Sequence, residues 1–182
     1  MIGSLLPLCW LGMMAVHEAG HAIGARYTGG EVTKIVVHPL TISRTDVSPN
    51  PHPLIVVWAG PILGCVLPLL AWIIWRTARI PASYLPRFFA GFCFVANGTY
   101  IGVGVFSRAG DAGEMLRYGS PIWSSCLFGA MASVVGLVLW HNLGGHFGFR
   151  DSDGRVHLVF RTFAFHHLRV VSGVQAPCDA DT

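Results

Sequence analysis

MIGSLLPLCWLGMMAVHEAGHAIGAR, residues 1–26, decides how the rest of the chain is read. It runs without a charge from Met1 to Val16, then meets His17, Glu18 and His21 before the first basic residue, Arg26. A helix rises 1.5 Å per residue, so about 20 apolar residues cross the roughly 30 Å hydrocarbon layer of a bilayer. This stretch is long enough to be such a span. A carboxylate and two imidazoles inside it are costly unless they pair, bind an ion or carry out chemistry. No basic residue precedes the apolar run, and cleavage near Ala22 would discard the polar groups, so the segment reads as a span rather than a secretory signal.

Working outward, the composition agrees. Of 182 residues 53% are hydrophobic and 12% charged, about half the charged share of a soluble domain, which excludes an ordinary water-soluble globule and a disordered chain. Twelve Lys and Arg against nine acids, a net charge of +3, form no basic stripe for a nucleic acid. Three further uncharged runs, Pro53 to Trp75, Phe88 to Ser107 and Pro121 to Trp140, are each long enough to span. The expected fold is an all-α membrane protein of about four transmembrane helices. Residues 1–141 form the membrane domain and 142–182 a small extramembrane tail.

Between the first two spans, Glu31 to Asn50 holds Val32, Ile35, Val36, Val37, Leu40 and Ile42, a β-branched pattern for a short hairpin; Pro39 interrupts it, and a plain loop is the alternative. The connection from Arg76 to Arg87, with Pro81 and Pro86, is too short for a domain, so spans two and three are antiparallel neighbours. In the tail, Asp153-Gly154 reads as a turn feeding a strand through Val156, Leu158 and Phe160, and its acids fall short of a calcium loop. Small residues four apart, Gly60 with Gly64, Gly98 with Gly102, and Ser125, Gly129 and Ser133, mark faces where helices approach closely. The cysteines, one in each span and Cys178 in the tail, have no metal or redox spacing and read as packing residues.

His17, Glu18 and His21 form an HExxH motif. At 3.6 residues per turn the two histidines fall about 40° apart on the helix, so both imidazoles reach one ion. Glu18 is then free to act as general base toward a zinc-activated water. A hydrogen-bonded polar seam between helices would explain the polarity but not the metal-ligand spacing. An open catalytic zinc needs a third protein ligand. Alternating spans make the first and third run parallel, which brings Asp111, just past the third, to the same side as His17 and His21; Glu114, one turn on, is the rival. Asn97 is the one amide inside a membrane run, suited to hydrogen-bonding an incoming peptide strand as a substrate-binding residue or to linking two helices.

On these residues the chain resembles the site-2 protease family of intramembrane zinc metalloproteases, over roughly Met1 to Leu116. His17, Glu18 and His21 match the family's zinc and catalytic motif, Ala59, Gly60 and Pro61 its small-residue Gly-Pro segment, and Asn97 with Asp111 its third-helix pattern. The departures are Asp111-Ala112-Gly113 in place of an Asp-Gly pair, no Pro between Asn97 and Asp111, and a long separation between those two. The resemblance implies cleavage of a peptide bond in or near a transmembrane segment of a membrane-protein substrate. It also implies one Zn2+ per chain and an active site facing the cytosol. Basic residues do not choose an orientation: Arg26, Lys34, Arg44, Arg108 and Arg117 on the site's face balance Arg76, Arg79, Arg87, Arg150 and Arg155 on the other. The alternative is a proteolytically inactive relative that binds zinc or a membrane partner. A metal transporter or haem protein would need ligands spread over several spans, and apart from Asn97 the interiors of spans two to four offer no strong ligand.

Overall fold

A backbone in hydrocarbon has no water to bond, so its N–H and C=O groups must be satisfied within the segment, and long apolar runs become helices. The computed structural model describes residues 2–38 and 43–148. Helix α1, Ile2–Tyr27, leads into a hairpin of β1, Val32–Val36, and β2, Arg44–Val47. Helices α2, Pro53–Thr77, and α3, Tyr84–Ser107, follow, then a short α4, Gly110–Arg117, and α5, Ile122–Trp140.

Among the described residues α2, α3 and α5 are long and apolar enough to cross a membrane. The first expected span, α1, is equally long at 26 residues, but its polar triad sets its composition apart from the other three. The architecture is an all-α membrane protein with one small sheet. Large apolar side chains such as Leu8, Ile74, Phe106, Val134 and Val138 stay exposed on the outer faces of the helices, as lipid contact requires.

Packing follows the small residues. The face of α3 that carries Gly98 and Gly102 lies against Gly129 of α5, where a Cβ on Gly129 would come within 2.6 Å of the Gly102 Cα. The small-residue face is therefore consumed inside one chain. Val57, Ile101, Val105, Ala112 and Met115 form one buried cluster, and Met13, Met14 and Cys93 another. Cys9, Cys65, Cys93 and Cys126 are free thiols.

The expected hairpin between the first two spans forms, and the plain-loop alternative gives way to an antiparallel pair with Ile35 opposite Thr45 and Val36 opposite Arg44. The segment just past the third span, which holds Asp111, is helical. Arg108 adopts a left-handed conformation, φ 53°, which ends α3 and lets α4 start at once. The chain divides into a unit Met1–Leu143 and a unit Gly144–Thr182, of which the second contributes a short 3-10 turn, Gly144–Phe147, among the described residues. The expected tail turn at Asp153-Gly154, its strand, and Cys178 lie outside the described residues.

Candidate metal centre

Helix periodicity puts His17 and His21 one turn apart on the side of α1 that meets α2 and α3, and both rings are 6% exposed. Asp111 arrives in the first turn of α4. Its Oδ2 lies 2.7 Å from His17 Nε2 and 3.3 Å from His21 Nε2, and the two imidazole nitrogens are 3.1 Å apart. Zinc bonds of about 2.0–2.1 Å at tetrahedral angles place neighbouring ligand atoms about 3.3 Å apart. Two edges of this triangle match that spacing closely and the third is short, so the three residues fit a zinc ion. Among the described residues they are the one group of His, Cys, Asp and Glu side chains close enough to hold a metal. Glu114, the rival acid, is exposed and outside the group.

The far side of each imidazole determines what its near side offers. His21 Nδ1 is 2.8 Å from the Val56 carbonyl oxygen, which only accepts, so Nδ1 carries the proton and Nε2 presents a lone pair. His17 Nδ1 is 2.6 Å from Asn97 Oδ1. The Asn97 Nδ2 donates to the Cys93 carbonyl of its own helix at 2.8 Å, which turns Oδ1 toward His17 and makes it the acceptor there as well. Two lone pairs and a carboxylate oxygen thus converge, an arrangement that calls for a cation between them.

Two further contacts shape the pocket. A Cβ on Gly60 of α2 would overlap the His21 ring, so only glycine admits the imidazole between α1 and α2. Asp111 N–H donates to the Tyr100 hydroxyl at 3.2 Å, and the Tyr100 ring lies edge-on to His17 with centroids 5.9 Å apart.

Glu18 is 3% exposed, and its Oε2 accepts a hydrogen bond from Thr45 Oγ1 of β2 at 2.7 Å. It takes no part in the triangle.

A family model described as Peptidase M50B-like matches residues 3–103. The chain belongs to the Peptidase M50B-like family. No significant match to a curated protein or a solved structure accompanies it. The matched stretch of this M50B-like chain includes His17, Glu18, His21, Gly60 and Asn97 and ends before Asp111, so Asp111 stands on the geometry of α4. Three apolar helices in a membrane peptidase family make the chain a multi-pass integral membrane protein.

Several residues of this M50B-like site escaped sequence reasoning. Thr45 and Tyr100 carried no signal, because nothing local ties a threonine in a hairpin to a carboxylate 27 positions away or a tyrosine to a backbone N–H in another helix. The Val56 carbonyl is invisible in any sequence. Gly60 was noted as a small residue, but its role beneath the His21 ring emerges only from the crossing of α1 and α2.

Proposed function

We propose that the protein is an intramembrane zinc metalloprotease that hydrolyses a peptide bond in or near a transmembrane segment of a membrane-protein substrate. The observation that carries the reading is the convergence of His17 Nε2, His21 Nε2 and Asp111 Oδ2 within 3.3 Å, with both imidazoles held in the metal-binding tautomer from behind. In this reading His17, His21 and Asp111 hold one Zn2+, α1 is the fourth span, and the site faces the cytosol as in the family. When bound, the ion would supply Lewis acidity that lowers the pKa of a water toward neutrality. Glu18, beside the proposed ligands but not among them, would accept a proton from the attacking water and pass it to the leaving amine.

Asn97, considered first as a substrate contact, is committed to His17 and Cys93, which supports a positioning role instead. A helical substrate hides its carbonyls in its own hydrogen bonds and must unwind to be cut. The hairpin is suited to hold it by adding a strand. Deleting residues 31–50 is expected to abolish cleavage of a model substrate, and unchanged cleavage would remove the hairpin from the reading.

One observation favours a second reading, a proteolytically silent relative that keeps the metal: the family match stops short of Asp111, where the Asp-Ala-Gly departure lies. The Glu18→Gln variant separates the two. With detergent-purified protein and a transmembrane reporter substrate, the protease reading expects about one zinc per chain in wild type and variant, and cleavage by wild type alone. Equal cleavage by both would exclude Glu18 as base. Zinc without cleavage in wild type would favour the silent relative.

A further inference from the structure

The hairpin does more than lie beside the site. The hydroxyl of Ser43, just ahead of β2, donates to Met14 Sδ at 3.4 Å, and the Thr45 hydroxyl reaches Glu18 Oε2 at 2.7 Å. Met14 and Glu18 are one helical turn apart on α1, about 6.0 Å along its axis at 1.5 Å per residue. Ser43, one residue ahead of β2, and Thr45 within it are two positions apart, about 6.6 Å at 3.3 Å per residue of extended chain, the spacing at which side chains return to one side. The two repeats nearly coincide, so one face of the strand docks on one face of α1 at two points. The second of those points is the general base itself.

Thr45 has one hydroxyl proton to donate. It lies nearer the Glu18 carboxylate than the Glu18 carbonyl, 2.7 Å against 3.2 Å, so the carboxylate takes it. One carboxylate oxygen is thereby held from the hairpin. Pairing with β1 fixes Thr45 in turn, opposite Ile35 in the ladder. We infer that Thr45 is a positioning residue that orients the Glu18 carboxylate from the hairpin, so that docking of β2 on α1 and alignment of the base are one event. This inference rests on the protease reading for its catalytic consequence, but not for its structural content.

The test uses full-length protein in detergent with three variants. Thr45→Val keeps the side-chain shape and removes the hydroxyl, Thr45→Ser keeps the hydroxyl, and Glu18→Ala removes the acceptor. Two quantities are read: kcat and KM on a transmembrane reporter substrate, and hydrogen exchange of the backbone amides of residues 43–47. Thr45→Val is expected to lower kcat about 10- to 100-fold, the scale of an ångström's misplacement of a reacting group, with KM and zinc content within about twofold of wild type. It should also speed exchange in 43–47, as should Glu18→Ala, while Thr45→Ser restores both kcat and protection.

Unchanged exchange and unchanged kcat in Thr45→Val would overturn the inference, and so would equal loss in the valine and serine variants, which would mark a packing role. Faster exchange in Thr45→Val and Glu18→Ala, in a wild-type protein that binds zinc but cleaves nothing, would uphold the Thr45 to Glu18 link and overturn the protease reading. The two failures are therefore distinguishable.

Discussion

Replacing Asn97 by Ala tests whether the amide acts on the metal site or on substrate. The side chain is 1% exposed, and Gly64 closes over it, since a Cβ there would sit 3.0 Å from Asn97 Nδ2. Truncation removes the acceptor 2.6 Å from His17 Nδ1 and leaves a buried N–H with no replacement at hand. A buried donor stripped of its partner costs about 1–3 kcal/mol. The same change frees the ring to rotate or to move its proton to Nε2, where it would block the ligand lone pair. Loss of a group that orients a metal-bound histidine weakens metal affinity about 10- to 100-fold, or about 1.4–2.8 kcal/mol, which agrees with the desolvation figure. The assay is competition for zinc between the detergent-purified protein and a chelator of known affinity, with helicity measured alongside to confirm the fold. Asn97→Asp keeps an acceptor at the same position and should recover part of the loss. If Asn97→Ala binds zinc as wild type does and raises only the KM for a reporter substrate, the positioning argument is wrong and Asn97 is a substrate contact.

Other perturbations have equally definite outcomes. His21→Ala and Asp111→Ala should each reduce zinc from about one per chain to near zero by elemental analysis, whereas Glu114→Ala should leave it unchanged, and retention of zinc by Asp111→Ala would displace α4 from the site. Gly60→Ala drives a methyl into the His21 ring, so zinc affinity should fall more than about tenfold with helicity preserved, as read by the same chelator competition. Gly129→Leu forces α3 and α5 apart where the Gly102 Cα leaves no room; it should destabilise the fold by about 1–3 kcal/mol, measured as a lower thermal midpoint in detergent.

What could be read from the sequence is what depends on neighbours along the chain. Span length needs only a count of apolar residues, so α2, α3 and α5 are evident from their runs; α3 begins one turn before its uncharged run, at Tyr84, and takes in Arg87, which donates to the His141 carbonyl. The facing of His17 and His21 follows from a separation of four on a helix, and the β-branched run between α1 and α2 was sufficient to suggest a hairpin. Asp111 was legible only in outline, through the parallel direction of the first and third spans. That reasoning put Asp111 and Glu114 on the same side as the histidines and favoured Asp111, which is nearer the span and flanked by Gly110 and Gly113. In the structure the first turn of α4 brings Asp111 to the two histidines while Glu114, three positions on, is exposed.

The tertiary structure alone decided everything that holds the ligands in place. Asn97 meets His17 across 80 positions, Asp111 meets it across 94, Val56 meets His21 across 35, and Thr45 meets Glu18 across 27. Periodicity determines which face of a helix a residue occupies, but it contains nothing about which partner that face will find. The sequence determined that a metal-binding pair and a carboxylate lie together on one apolar helix. The packing of α2, α3, α4 and β2 around that helix determined the partner behind each imidazole, the approach of Asp111 and the contact of Thr45 with Glu18, because those depend on distances between segments that the chain brings together only when it folds.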